Sequence, residues 1–335
     1  MKEKIVEFKL HIILVVSLLC LVSVIYGLTQ QATSTTGEKY VIVVKPGMGA
    51  SSIGHLLYEQ GAIKSVLLFQ VISKMQGMES SLQAGEYTVS KNMTIQQIVT
   101  MLGKGQTVYQ QITIPEGYTV EQIGKLLQEK QLGSAANFKK ASQNYVPYPY
   151  MVNNNPNVVY KAEGYMFPNT YQISKGITEE QILTMMTTQF DKQFTESMRA
   201  RAAEMKFSIN EVVILASLVE KEAQLPADRP VIAGVFLNRL KLDMPLQSCA
   251  TIQYILGYPK AELSVKDTER PSPYNTYQHM GLPPGPIANP GIAAINAVLY
   301  PEKTDYIYFV ADKQGAHHFT KTYDEHLIAI EQVSK

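Results

Sequence analysis

The longest unbroken apolar run is near the N-terminus, where residues 10–28 read LHIILVVSLLCLVSVIYGL. A helix crosses a bilayer with roughly 20 such residues, so the run predicts a single transmembrane span. His11 lies near its start and Tyr26 near its end, places where interfacial side chains are tolerated. Lys2, Lys4 and Lys9 precede the run, and no lysine or arginine follows before Lys39. The positive-inside rule therefore places residues 1–9 in the cytoplasm and everything after the span outside the cell membrane. A cleaved signal peptide would want small residues at its cut site, and Tyr26-Gly27-Leu28-Thr29 is a poor match. A lipoprotein would want a small residue before Cys20, where Leu19 stands. An uncleaved anchor is the expectation.

Residues 29–39 are small and polar, and read as a linker. A pattern then recurs: a short β-like run, a turn, and a Ser/Thr cap opening an amphipathic helix. The runs are residues 40–44, 87–89 and 112–114, and they lead to Ser52, Thr94 and Thr119. Residues 40–108 are expected to form a small βα subdomain that resembles a LysM-like wall-binding unit. The same grammar is common in proteins that bind no glycan, so the pattern alone leaves the ligand open.

Further on, residues 139–157 are rich in Asn, Pro and Tyr and read as irregular, and residues 163–171 (EGYMFPNTY) as a strand edge or loop. Thr178 with Gln181, and Ser208 with Glu211, have capping-box spacing. After the second box, residues 212–219 (VVILASLV) are apolar but for Ser217, as in a helix enclosed on all sides. That helix runs into Glu220-Lys221-Glu222, so it must emerge into solvent or a cleft. Glu220 and Glu222 are separated by about 200° around a helix and cannot serve one site. Glu220 continues the inward face. Partial burial and the negative helix pole both raise the pKa of a carboxyl there, which suits a general acid. The alternative at this point is a solvated helix end paired with Lys221 or Arg229.

Composition removes several function classes. The chain has 335 residues, 45% apolar and 18% charged, with a formal net charge of +1, so it lacks the basic excess of a nucleic-acid binder. Two cysteines, Cys20 and Cys249, make neither a disulfide scaffold nor a paired-cysteine zinc site. No phosphate-binding G-x-x-x-x-G-K-[ST] loop and no G-x-S-x-G elbow occurs. His317, His318 and His326 have no standard metal spacing, and no metal or other cofactor is expected. Cys249 has no local nucleophile motif. The 20 tyrosines pair flat apolar faces with polar tips, which suit half-wet ligands such as sugars as well as ordinary packing. Residues 281–291 (GLPPGPIANPG) hold four prolines and form a stiff, shaped loop.

Several stretches, in order, resemble the endolytic murein transglycosylases of the YceG-like family: residues 163–171, 216–222 (ASLVEKE), 235–240 (VFLNRL), Leu246-Gln247, 274–277 (YNTY), 281–291 and 308–311 (YFVA). Cys249-Ala250 departs from the Asp-Pro that many members carry, which bears on loop shape near the cleft. The resemblance implies an α+β chain with an N-terminal transmembrane helix, a LysM-like subdomain and a mixed α/β catalytic domain over residues 109–335. It implies a membrane-anchored enzyme that cuts peptidoglycan glycan strands internally and leaves 1,6-anhydro ends, close to peptidoglycan synthases. Its catalytic glutamate falls on Glu220, with Gln247, Asn275, Tyr277, Glu163 and Tyr165 as substrate contacts. Asp228, Asp267 and Glu269 are the carboxylates open as partners if the reaction were hydrolytic. A hydrolytic muramidase and a non-catalytic wall-binding scaffold are the rival readings.

Overall fold

The computed structural model describes residues 15–17, 39–260 and 262–334. The expected span over residues 10–28 lies outside the described residues, apart from the helical turn Val15–Ser17. Among the described residues, no helix is long and apolar enough to cross a membrane. The fold is mixed α/β, and the strands among the described residues form three two-stranded sheets. The chain divides into two compact units: one is residues 39–110 with Gln172–Ile177, the other Gln111–Tyr171 with the chain from Thr178 onward.

In the first unit, β1 (Lys39–Val44) pairs antiparallel with β2 (Gly85–Ser90), with Ile42 opposite Tyr87 and Tyr40 opposite Val89. Strand alternation turns Ile42, Val44, Tyr87 and Val89 inward and leaves Val41 and Val43 exposed. Two helices lie between the strands, α1 (Ala50–Glu59) and α2 (Val66–Met75), and α3 (Ile95–Gly103) follows β2. Their inward residues, Ile53, Leu57, Phe69, Ile98 and Leu102, complete a core with the strand residues. Gly54 lets α1 approach α2, since a Cβ there would come within 3.0 Å of Val66 Cγ1. Thr94 caps α3 as expected, and Gln97 returns the bond to complete a capping box. Ser52 does not cap: Gly49 is the cap residue of α1 and Ser52 lies inside the helix. The extended backbone of Gly49, whose carbonyl accepts from Ile53 N at 3.0 Å, starts the helix without a side chain.

In the second unit, β3 (Tyr109–Ile114) leads through Pro115-Glu116-Gly117 into α4 (Val120–Glu129), which Thr119 and Gln122 cap reciprocally. Helix α5 (Ala135–Gln143) packs on α4, where Gly124 faces Ala135. The expectation of irregular chain from residue 139 is corrected here, because the Ser134 cap carries a helix on to Gln143. β4 (Asn169–Ser174) pairs with β3, followed by α6 (Glu179–Gln193) and α7 (Glu196–Glu204).

The centre of this unit is α8 (Ile209–Glu222), started by the Ser208–Glu211 capping box and buried at every position from Val212 to Val219. Around it pack α7, α9 (Arg229–Lys241), α10 (Cys249–Leu256) and α12 (Ile292–Leu299). A single turn of helix, α11 (Val265–Thr268), precedes the 274–277 segment. β5 (Tyr308–Ala311) and β6 (His317–Thr320) form a hairpin covered by α13 (Tyr323–Ser334).

Candidate active site

Helix α8 delivers Glu220 to the edge of the core, where its side chain is 6% exposed. Its Oε2 accepts from the backbone N–H of Gly291 at 3.0 Å, and its Oε1 lies 3.6 Å from Arg229 Nη2. Burial raises its pKa above the ordinary carboxyl value. The nearby charge of Glu116 pushes the same way, while the Gly291 N–H and Arg229 partly oppose. The Arg229 pair of the alternative reading is present, but the helix end is not solvated: the carboxyl is buried, and burial raises its pKa. Arg229 has a second notable feature: its Nε is buried with no hydrogen-bond partner.

The seat is made by the stiff 281–291 loop. Ser217, the one hydroxyl in the apolar run of α8, accepts from Ile287 N at 3.0 Å and donates to the carbonyl of Ile214. Two residues on, the fully buried Asn289 joins three segments. Its amide donates to Tyr118 O at 2.8 Å and Glu163 Oε1 at 2.9 Å, and its Oδ1 accepts from Met166 N at 2.8 Å. The Asn289 backbone also exchanges hydrogen bonds with Gly117 and Tyr118. Glu163 accepts from Val120 N with both oxygens at 3.1 Å. The loop, the turn before α4 and the 163–166 segment are thereby fixed around the end of α8.

These contacts change the reading of three expected substrate contacts. Glu163 is 1% exposed and its carboxyl is occupied by Val120 and Asn289; burial pushes its pKa up to about 8. Tyr165 is equally enclosed, and its hydroxyl accepts from Asn210 Nδ2 at 2.8 Å. Asn275 is fully buried, its amide donating to the carbonyls of Thr268 and Arg270. All three hold loops in place, since a side chain enclosed in this way offers no free polar atom to a ligand.

Gln247 and Tyr277 stay accessible, but they gather about Glu222 on the other side of α8. Glu222 Oε1 accepts from Ser248 Oγ and from Ala250 N, at the start of α10. Gln247 is exposed, adopts a left-handed backbone at φ 50°, and accepts from Arg239 Nη1 at 3.3 Å. The Tyr277 hydroxyl lies 3.1 Å from Cys249 Sγ.

Two of the three carboxylates open as hydrolytic partners are engaged elsewhere. Asp228 pairs with His317 Nδ1 at 2.8 Å, and Asp267 is held by Lys260 and Ser264, which keep it below the usual carboxylate range. The carboxyl that shares the surroundings of Glu220 is Glu116, which sequence reasoning passed over as a turn residue. Among the described residues no group of His, Cys, Asp or Glu has the arrangement of a metal site.

Beside Lys221 opens a groove of about 550 Å³ lined by Tyr160, Tyr254, Tyr258, Tyr274 and Gln253. Tyr258 stands exposed on its rim.

A carboxyl at the end of an enclosed helix, its pKa raised by burial and met by a fixed backbone donor, has the chemistry that general acid–base catalysis uses, and a groove lined by tyrosines and amides opens beside the next residue, Lys221. The YceG-like family model matches residues 42–332, and the chain belongs to that family. It is 38% identical over 297 residues to a Bacillus subtilis protein named endolytic murein transglycosylase, covering 85% of this chain and 82% of the relative. A Streptococcus pneumoniae protein of the same name is 35% identical over 318 residues, covering 86% of this chain and 57% of the relative. A crystal structure of a yceG-like protein from Listeria monocytogenes superposes with a TM-score of 0.62 at 36% identity, covering 88% of this chain and all of that one. The chain is accordingly an enzyme, of the lytic transglycosylase class its relatives' names describe.

Proposed function

We propose that this enzyme cuts peptidoglycan glycan strands internally, between N-acetylmuramic acid and N-acetylglucosamine, with Glu220 as both acid and base. The observation that carries the reading is the Glu220 carboxyl, raised in pKa by burial and held by Gly291 N–H at the mouth of the core. Protonated Glu220 donates to the glycosidic oxygen as the C1–O bond breaks, and positive charge develops at C1. The carboxylate then takes the proton of the muramoyl 6-hydroxyl as its oxygen bonds to C1, which closes a 1,6-anhydro ring. No water enters and no second catalytic carboxylate is needed. The groove beside Lys221 supports the same reading, since tyrosine faces and amides suit acetylated sugars.

Gln247 and Tyr277 are the remaining candidates for substrate contact, because both are accessible. The first unit has the β-α-α-β order of a LysM-like unit and is proposed to hold the strand. The N-terminal apolar run is proposed to anchor the chain with its N-terminus in the cytoplasm and the catalytic residues outside, where cleavage near synthases would end strand growth.

A hydrolytic muramidase is the second reading, favoured by one observation: Glu116 supplies a second carboxyl near Glu220. Digestion of purified glycan strands followed by mass spectrometry separates the two. Anhydro ends support the transglycosylase, reducing ends the hydrolase, and full activity in Glu220→Gln removes Glu220 from either.

A further inference from the structure

Glu116 and Glu220 meet at one residue. Gly291 donates its N–H to Glu220 Oε2 at 3.0 Å, and the Glu116 carboxyl lies where a side chain at position 291 would have to be. Any Cβ there would fall on the Glu116 carboxyl oxygen, so the close approach depends on glycine. The turn that carries Glu116 is itself fixed: Gly117 N donates to Asn289 O at 2.8 Å, and Gly117 O accepts from Lys221 Nζ at 3.4 Å. Glu116 is thus presented to Gly291 by hydrogen bonds on both sides of the loop, though it is otherwise exposed.

The groups acting on Glu220 are Glu116 from the turn before α4, Arg229 from α9, and the Gly291 N–H from the stiff loop. Lys221, the next residue of α8, aims its ammonium at Gly117 O. Glu116 is the one negative charge among them. We infer that Glu116 is a positioning residue for catalysis: docked on Gly291, its charge keeps the proton on Glu220 until the glycosidic oxygen takes it. The same charge makes the Glu220 carboxylate a better base when it collects the proton of the 6-hydroxyl. One neighbour therefore serves both halves of the reaction. Glu116 transfers no proton itself. The inference rests on Glu220 being the acid.

The test is the pH dependence of glycan cleavage by the full-length chain, in its native form and as Glu116→Gln, Glu116→Asp and Glu220→Gln. Activity that needs protonated Glu220 falls as pH rises through the pKa of that group. Removing the Glu116 charge should move this falling limb of kcat/KM to lower pH by about half a unit, a roughly threefold loss on the limb with little change well below it. Glu116→Asp, which keeps the charge, should recover part of the shift, and added salt should narrow the gap between native and Glu116→Gln. A 13C titration of the labelled Glu220 carboxyl, assigned by its absence in Glu220→Gln, reads the same shift without turnover.

Superimposed pH profiles or an unmoved carboxyl titration would overturn the role of Glu116. So would a Glu116→Gln enzyme dead at every pH with the Glu220 titration unchanged, since that outcome makes Glu116 a reacting group. Retained activity in Glu220→Gln would instead remove the reading on which the inference stands.

Discussion

The backbone N–H of Gly291 donates to the carboxyl of Glu220 at 3.0 Å, across 71 positions of sequence. The donor comes from a proline-stiffened loop and the acceptor from the last turns of a buried helix. Each is rigid for its own reason, so their meeting is fixed in the folded chain.

Replacing Glu220 by glutamine keeps the shape and an acceptor for Gly291 N–H but removes the exchangeable carboxyl proton. Cleavage of purified glycan strands should fall by about 10²–10⁴-fold. Circular dichroism and thermal melting should match the native protein. Cleavage at the native rate would place the acid elsewhere.

Glu163 should make stability depend on pH. Its folded pKa of about 8 lies above its ordinary value of 4.5. Between those values the unfolded chain has released this proton and the folded chain retains it. Stability should therefore fall as pH rises from about 4.5 to about 8, by up to several kcal/mol. Glu163→Gln should flatten that slope. Urea unfolding midpoints at a series of pH values would reveal it, and identical slopes in both proteins would count against a neutral Glu163.

Asn289→Ala should be among the costlier polar substitutions. It leaves Met166 N without its acceptor and removes one donor each from Tyr118 O and the Glu163 carboxyl, which keep the backbone N–H groups of Asn289 and Val120. A loss of about 2–4 kcal/mol is expected from chemical denaturation. Activity should drop as well, because the same side chain fixes the loop that carries Gly291.

Tyr258, on the groove rim, has little to lose in folding because it is 57% exposed. If glycan lies along the groove, Tyr258→Ala should raise KM by about two- to tenfold with kcat nearly unchanged, matching the ~0.5–1.5 kcal/mol of a lost aromatic contact. An unchanged KM would place the strand on another face.

The local features were legible in the sequence. The caps at Thr94, Thr119, Thr178 and Ser208 depend only on residues three positions away, and all four form reciprocal boxes. The enclosed run of α8 and the inward turn of Glu220 followed from helical spacing alone. Ser52 misled because a glycine with extended backbone starts α1 as readily as a hydroxyl does.

What could not be read was long-range. Glu163 stood among the substrate contacts only through the family resemblance, and its partner Asn289 lies 126 positions away. Glu116 sits in an ordinary Pro-Glu-Gly turn, and only folding sets it against Gly291. The accessible pair Gln247 and Tyr277 gathers near Glu222, through Arg239 and Cys249, and two positions along one helix turn Glu222 away from Glu220.

Ser217 has a consequence beyond its single hydroxyl. By gripping Ile287 from within the hydrophobic helix, it welds the rod that carries Glu220 and the loop that carries its donor into one body. On the proposed mechanism an arriving sugar finds the proton's socket already cast, and the entropy of assembling it was spent when the chain first folded.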